Sequence, residues 1–309
     1  MDPKCRTGNL GGVPRYTLGN DRATYRCFFL EEKMPNIAYI GYGFVGKACH
    51  KAFEHNAVAI IIDPKYTDNT IDELRNFPVD IAFVSINAPT LDDGSVDASV
   101  IYTVFRQLVD IHYTGLVVLK STLPPAIIAD LSREFFETSE LRMIYSPEFL
   151  REANWEDDAL NPRQLILAGN FQDCKELEKL YNNHSHIHGT QFTIVDFRVA
   201  SLAKYAINCF LATKLTFMNQ LYQLYGDTYG STLRAKDWHE FCSLLQADGR
   251  VGYSHMHVPG PDGKFGYGGS CFPKDMKALA AFDKNGRMTL VKEAELSNTQ
   301  IRLTGGTKL

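Results

Sequence analysis

The chain has 309 residues, 45% hydrophobic and 22% charged, with a formal net charge of -4 at pH 7. That length exceeds one small core and predicts two domains. The slightly acidic balance excludes a basic nucleic-acid or membrane-binding surface, and no apolar run is long enough to cross a bilayer. Seven cysteines, an odd number with no C-x-x-C pair, argue against a disulfide framework and for a reducing, cytoplasmic setting.

Residues 1–33 carry glycines and scattered charges without periodicity, which predicts a poorly ordered extension. Their one apolar run, CFFL, is too short for a secretory signal. Four arginines hint at a transit peptide, and Asp2, Asp21, Glu31 and Glu32 argue against it.

From residue 34 to 195, strands and helices alternate. NIAYIG, AVAIIID, DIAFVSI, GLVVLKS and LRMIYS read as buried strands, and RQLILAG as one more. FVGKACHKAFEH, DASVIYTVFRQLVDIH and PPAIIADLSREFFET have helical spacing. This order predicts a doubly wound, Rossmann-type parallel sheet covered on both faces. His184, His186 and His188 in HSHIH lack an acidic or thiol neighbour, so a loop is expected there and no metal site.

Residues 196–309 predict an all-helical domain. Its first helix, from Asp196, is long, with Gly226 as the expected stop. Helices over LRAKDWHEFCSLLQA, PKDMKALAAFDKN and LVKEAELSNTQIR follow, with a glycine-rich loop from Gly249 to Ser270 before the last two. Phe210, Leu211, Phe217, Met218, Leu221 and Tyr222 give the long helix more apolar faces than one partner covers. A homodimer through this helix is expected.

Two stretches carry chemistry. GYGFVG places Gly41, Gly43 and Gly46 in G-x-G-x-x-G spacing, with Phe44 and Val45 between the last two. It follows a strand, opens a helix and precedes a strand ending at Asp63, the pattern of a dinucleotide site. A carboxylate at Asp63 favours NAD over NADP, and Lys65 lies close by. In GYGGSCFPKD, Cys271 precedes a helix that Pro273 can start. The helix dipole and nearby lysine charge are expected to lower the thiol pKa. Lys204 and Asn208 fall one turn apart on the long helix. YSPEFLRE puts Glu148 and Glu152 beyond the carboxyl end of the fifth strand, where ligands sit in such sheets.

Together GYGFVG, Asp63, KST at Lys120 to Thr122, YSPEFLRE, AKYAINCFLATK, DGRVG and GYGGSCFPKD resemble the UDP-glucose/GDP-mannose 6-dehydrogenase family, in the family's order, from about residue 36 to 302. GGSCFPKD looks most like its UDP-glucose branch. The resemblance implies a nucleotide-sugar substrate and an NAD-dependent four-electron oxidation of a C6 alcohol. Cys271 would be the nucleophile, and Lys204 and Asn208 the oxyanion donors. Asp275 and a water on Thr122 would act as acid and base, and Glu152 would position water and cofactor. It further implies Thr90 and Lys274 at the cofactor, and Glu148, Phe149, Leu150, Arg151, Phe265 and Gly268 at the sugar. Arg250 would support the site or reach it from a neighbouring subunit.

Some positions depart from the family pattern. APTL keeps one of two expected prolines, and Ser201 replaces a glutamate. PGPDGKFGYGG is longer than its counterpart. The chain ends at Leu309, where family members continue into a third, nucleotide-binding domain, so weak binding of the sugar nucleotide is expected. Two other readings stand beside the first: a two-electron hydroxyacid dehydrogenase, which has no use for Cys271, and a truncated, non-catalytic paralogue that binds NAD or a partner.

Overall fold

The computed structural model describes residues 15–16, 27–28, 33–151, 154–230, 235–252 and 254–305. Within the expected extension, β1 (Arg15–Tyr16) pairs antiparallel with β2 (Cys27–Phe28). The rest of that expectation falls outside the described residues.

Seven strands form one sheet: β3 (Asn36–Ile40), β4 (Val58–Ile62), β5 (Ile81–Val84), β6 (Leu116–Leu119), β7 (Arg142–Tyr145), β8 (Gln164–Gly169) and β9 (Gln191–Val195), in the order β4-β3-β5-β6-β7-β8-β9. Every residue of β5 and β6 is buried, as a two-sided sheet demands. Alternate residues serve opposite cores. Ala38, Ala82, Val117 and Met143 meet α2 (Ser99–Asp110) and α3 (Pro125–Phe135) on one face. Tyr39, Phe83, Val118 and Ile144 meet α1 (Phe44–Phe53) and α5 (Phe171–His184) on the other.

One pairing departs from the expected parallel sheet: β8 runs antiparallel to β7. The intervening α4 (Trp155–Leu160) has six residues. At about 9 Å it is too short to carry the chain back across the sheet, so β8 re-enters from the end at which β7 leaves. Helix α5, which Asn170 caps by accepting from the Gln172 N–H, then returns the chain and makes β9 parallel to β8.

Helix α6 (Phe197–Tyr229) begins on Asp196, which accepts from the Arg198 N–H. It does not stop at Gly226. That glycine is buried inside the helix, and the chain turns at Gly230, where φ is 58°. A helical glycine costs about 1 kcal/mol relative to alanine. The first half of α6 joins the core under α2 and α3 through Ala200, Tyr205 and Ala212. Helices α8 (Phe272–Phe282) and α9 (Thr289–Thr304) close the same core, while α7 (Ala235–Ala247) packs Trp238 against Met218 near the far end of α6.

The turn after β3 has no room for a side chain at Gly41. Gly41 has φ +82°, and a Cβ there would lie 2.6 Å from the Ser85 carbonyl oxygen. Gly41→Ala is expected to lower stability by about 1–3 kcal/mol, read as a shift in the urea unfolding midpoint.

Candidate active site

The order of strands reverses at β3, which lies between β4 and β5. Such a switch point opens a crevice beyond the carboxyl ends of the strands, and the glycine turn lines it. A Cβ on Gly46 would overlap the Gly41 carbonyl, whereas nothing lies within 4 Å of a Cβ placed on Gly43. Gly46 therefore packs helix on turn, and Gly43 leaves open backbone at the α1 N-terminus, where a pyrophosphate is favoured. Phe44 and Val45 are half-buried below. Asp63, just past β4, accepts from the Tyr42 and Lys65 N–H groups at 2.7 and 2.9 Å. Those bonds orient its carboxylate and leave lone pairs for ribose hydroxyls. The Tyr66 ring lies edge-on to Tyr42, with Lys47 Nζ 4.8 Å and Lys65 Nζ 5.8 Å from its centre. These residues fit a dinucleotide.

The second cluster joins three segments. Lys204 and Asn208 stand one turn apart on the buried face of α6. Lys204 Nζ donates to Glu148 Oε1 at 3.2 Å and sits 5.1 Å from the Phe149 ring centre. The other Glu148 oxygen accepts from the Leu150 N–H. Asn208 Nδ2 donates to Asp275 Oδ2 at 2.6 Å, and the Lys274 ammonium bonds the other Asp275 oxygen. Cys271 is the N-cap of α8, and its carbonyl accepts from the Asp275 N–H at 2.9 Å. Thr90 donates to the Lys274 carbonyl, which ties the loop after β5 to α8. Thr122 is half-buried beyond the end of β6.

The Cys271 thiol reverses one expectation. Burial pushes its pKa up; the Ser270 hydroxyl and the Lys204 charge pull it down, and the Glu148 and Asp275 charges push it up again. Cys271 is half-buried, with Sγ 3.6 Å from Ser270 Oγ. Burial, with the Asp275 charge, pushes the Cys209 thiol up to about 12, and its bond to the Asp275 carbonyl makes it a structural cysteine.

Other expected residues are elsewhere. Arg250 is 88% exposed and forks onto Asp248, with both bonds at 2.7 Å. Phe265 packs against Tyr222 in the α6–α7 cluster. A Cβ on Gly268 would strike the Arg302 guanidinium, so this glycine serves close packing on α9. The Arg151 side chain pairs with Asp158. Glu152 lies outside the described residues.

Four positioning residues were not foreseen. Asn219 accepts from the Gly266 N–H, and Asn298 both accepts from and donates to the Tyr267 backbone. Arg302 Nε donates to the Tyr267 carbonyl. Lys214 donates to the carbonyls of Val251, Gly252 and Ser254. Amides interrupting the apolar faces of α6 and α9 were the available signal for Asn219 and Asn298.

Comparison with known proteins agrees with this layout. Residues 65–185 match the NAD binding domain of the UDP-glucose/GDP-mannose dehydrogenase family, and residues 198–300 match its central domain. The chain belongs to this family. It is 30% identical over 238 residues to the UDP-glucose 6-dehydrogenase of Rickettsia bellii, an alignment covering 76% of this chain and 50% of that protein. With the Rickettsia conorii enzyme of the same name it shares 33% over 221 residues, 70% of this chain and 47% of the relative. The chain thus spans about half the length of these curated relatives. A UDP-glucose dehydrogenase from Pyrobaculum islandicum shares the fold, with TM-score 0.72, 22% identity, and coverage of 88% of this chain and 69% of that one. So does a 3-hydroxyisobutyrate dehydrogenase from Mycobacterium tuberculosis, with TM-score 0.64, 15% identity, and coverage of 89% and 96%.

A raised thiol pKa means less thiolate at neutral pH. Iodoacetamide should therefore alkylate Cys271 with a pH midpoint above that of a free cysteine thiol, and Lys204→Met should move the midpoint further up. A midpoint below the free-thiol value would contradict the charge balance described above.

Proposed function

We propose that the chain carries the cofactor and catalytic parts of an NAD-dependent nucleotide-sugar 6-dehydrogenase, oxidising UDP-glucose to UDP-glucuronate. The observation that supports this most is the meeting of Cys271, Lys204, Asn208 and Asp275 next to a cofactor crevice. NAD, held by the glycine turn and Asp63, supplies the hydride acceptor in both oxidations. Residues 34–195 then form the cofactor domain, and residues 196–309 the helical domain that brings the nucleophile.

The residues divide the work. The C6 alcohol loses its hydroxyl proton and a hydride to give an aldehyde, and Asp275 with a water on Thr122 takes the proton. The Cys271 sulfur attacks the aldehyde carbon. Lys204 and Asn208 donate to the oxygen on which negative charge develops, the place where fixed donors lower a barrier most. Loss of the hydroxyl proton to the same base and of a second hydride, which a second NAD would accept, turns the thiohemiacetal into a thioester, and water hydrolyses it to the acid, returning the thiol. Glu148, Phe149 and Leu150 border the sugar, with Glu152 positioning water.

The hydroxyisobutyrate dehydrogenase likeness supports a two-electron reading of the fold, so the products must decide. Two NADH per sugar nucleotide are expected, where a hydroxyacid dehydrogenase gives one and a non-catalytic paralogue none. Cys271→Ser should lower acid formation at least about a hundredfold. Acid formed by that variant near the original rate would remove the covalent route.

A homodimer completes the reading. Of the apolar residues on α6, Met218 and Tyr222 pack inside the chain, on Trp238. Phe210, Phe217 and Leu224 recur every seven residues and are 68, 58 and 60% exposed. Such a seam suits a second copy of the same helix, and Arg250 is exposed for a contact across it. A cytoplasmic enzyme of this kind should sediment as a dimer at micromolar concentration, and Phe217→Glu should convert it to monomer. A monomeric parent chain would refute the interface.

A further inference from the structure

Lys120 has no part in the reaction above, yet it is 4% exposed at the carboxyl end of β6. Its backbone N–H bonds the Val84 carbonyl, and the next strand presents Ser146, whose N–H bonds the Leu119 carbonyl. The Lys120 ammonium has three protons and donates to the Ser146 hydroxyl at 3.1 Å. A buried ammonium on a neutral hydroxyl needs a counter-charge nearby. The groups that act on it electrostatically are Cys49 from α1, Glu148 two residues past Ser146, and Lys204 from α6. Glu148 is the one carboxylate among them, and it already holds Lys204 at 3.2 Å.

This matters for Lys204. An ammonium closed onto its own carboxylate is a poor donor to anything else, because pairing consumes its field. Two lysines around Glu148 leave one positive charge in excess, and Cys271 feels both Glu148 and Lys204. We propose that Lys120 is a positioning residue that counters part of the Glu148 charge from within the core, leaving Lys204 available to the sulfur and to the oxyanion. Burial pulls the Lys120 pKa down, Cys49 and then Glu148 pull it up, and Lys204 pulls it down.

The inference rests on Cys271 as the nucleophile, but its test does not require turnover. Iodoacetamide alkylation of Cys271 is followed against pH, with Cys271→Ser as blank. Lys120→Met should leave more of the Glu148 field acting on the thiol. The alkylation midpoint should rise by about half a unit, roughly threefold less thiolate at neutral pH. In a Glu148→Gln background the same change should have little effect, because the carboxylate through which Lys120 acts is gone. Where the chain turns over, Lys120→Met should lower kcat with KM nearly unchanged. Should the methionine variant fail to fold, Lys120→Gln, which can still bond Ser146, carries the test. Coincident profiles for parent and variant, or an equal shift in both backgrounds, would overturn the proposal. An inactive parent chain with the expected alkylation shifts would defeat the proposed function and leave the Lys120 assignment standing.

Discussion

A lysine ammonium at 2% exposure and a carboxylate at 1% exposure need partners in the same dry interior. An isolated buried charge costs several kcal/mol. Lys204 finds Glu148, and Asp275 finds Asn208 and Lys274. These pairs draw from the segment after β7, from α6 and from α8, so they cannot form unless all three lie in one register. The position of Cys271 follows. One helical turn separates it from Asp275, and its carbonyl takes the Asp275 N–H. The thiol is placed by the pairing of a residue four positions later.

The glycine-rich loop before Cys271 depends on the same principle applied to backbone groups. Gly266 and Gly269 have φ of +76° and +79°, open to glycine at little cost. A chain so free would lose entropy on ordering. Asn219 and Asn298 restrain it by bonding the Gly266 and Tyr267 amides, and Arg302 spans the Tyr267 carbonyl and Asp262. Lys214 does the same for the preceding turn, where three carbonyls converge on one ammonium. Side chains on α6 and α9 thus hold a loop whose own sequence specifies little.

Elements with strong periodicity were legible. Strands β5 and β6 are apolar throughout and β3 is so after Asn36, and α2 and α3 read correctly within a few residues because one face of each is apolar. QFTIV, which forms β9, was missed: at the sheet edge it is half-buried and mixes polar with apolar residues. Helix α5 was missed because charged residues dominate it and its apolar stripe is thin. The antiparallel β8 depends on the length of α4, which no strand pattern encodes. Of the site, the motif residues were legible and their partners were not. Arg250 forks onto Asp248 two residues away, a local competition that a motif does not show. The helix start and the lysine near Cys271 were visible in the sequence. The burial, Glu148 and Asp275 that push its thiol up depend on tertiary packing.

The shared fold makes that charge balance the informative feature. A hydroxyisobutyrate dehydrogenase shares this architecture over 96% of its length, so sheet and helices alone do not identify the reaction. In the reading proposed above, the distinguishing feature is Cys271 at the start of α8. In the proposed reaction that sulfur is neutral before substrate arrives, which protects it from oxidation and alkylation. Sugar hydroxyls that bond Glu148 would disperse the charge that now opposes the thiolate, and the Lys204 field would then act with less opposition. In the proposed reaction, nucleophile activation would in this way be coupled to occupancy of the sugar site, through the carboxylate that pairs with Lys204.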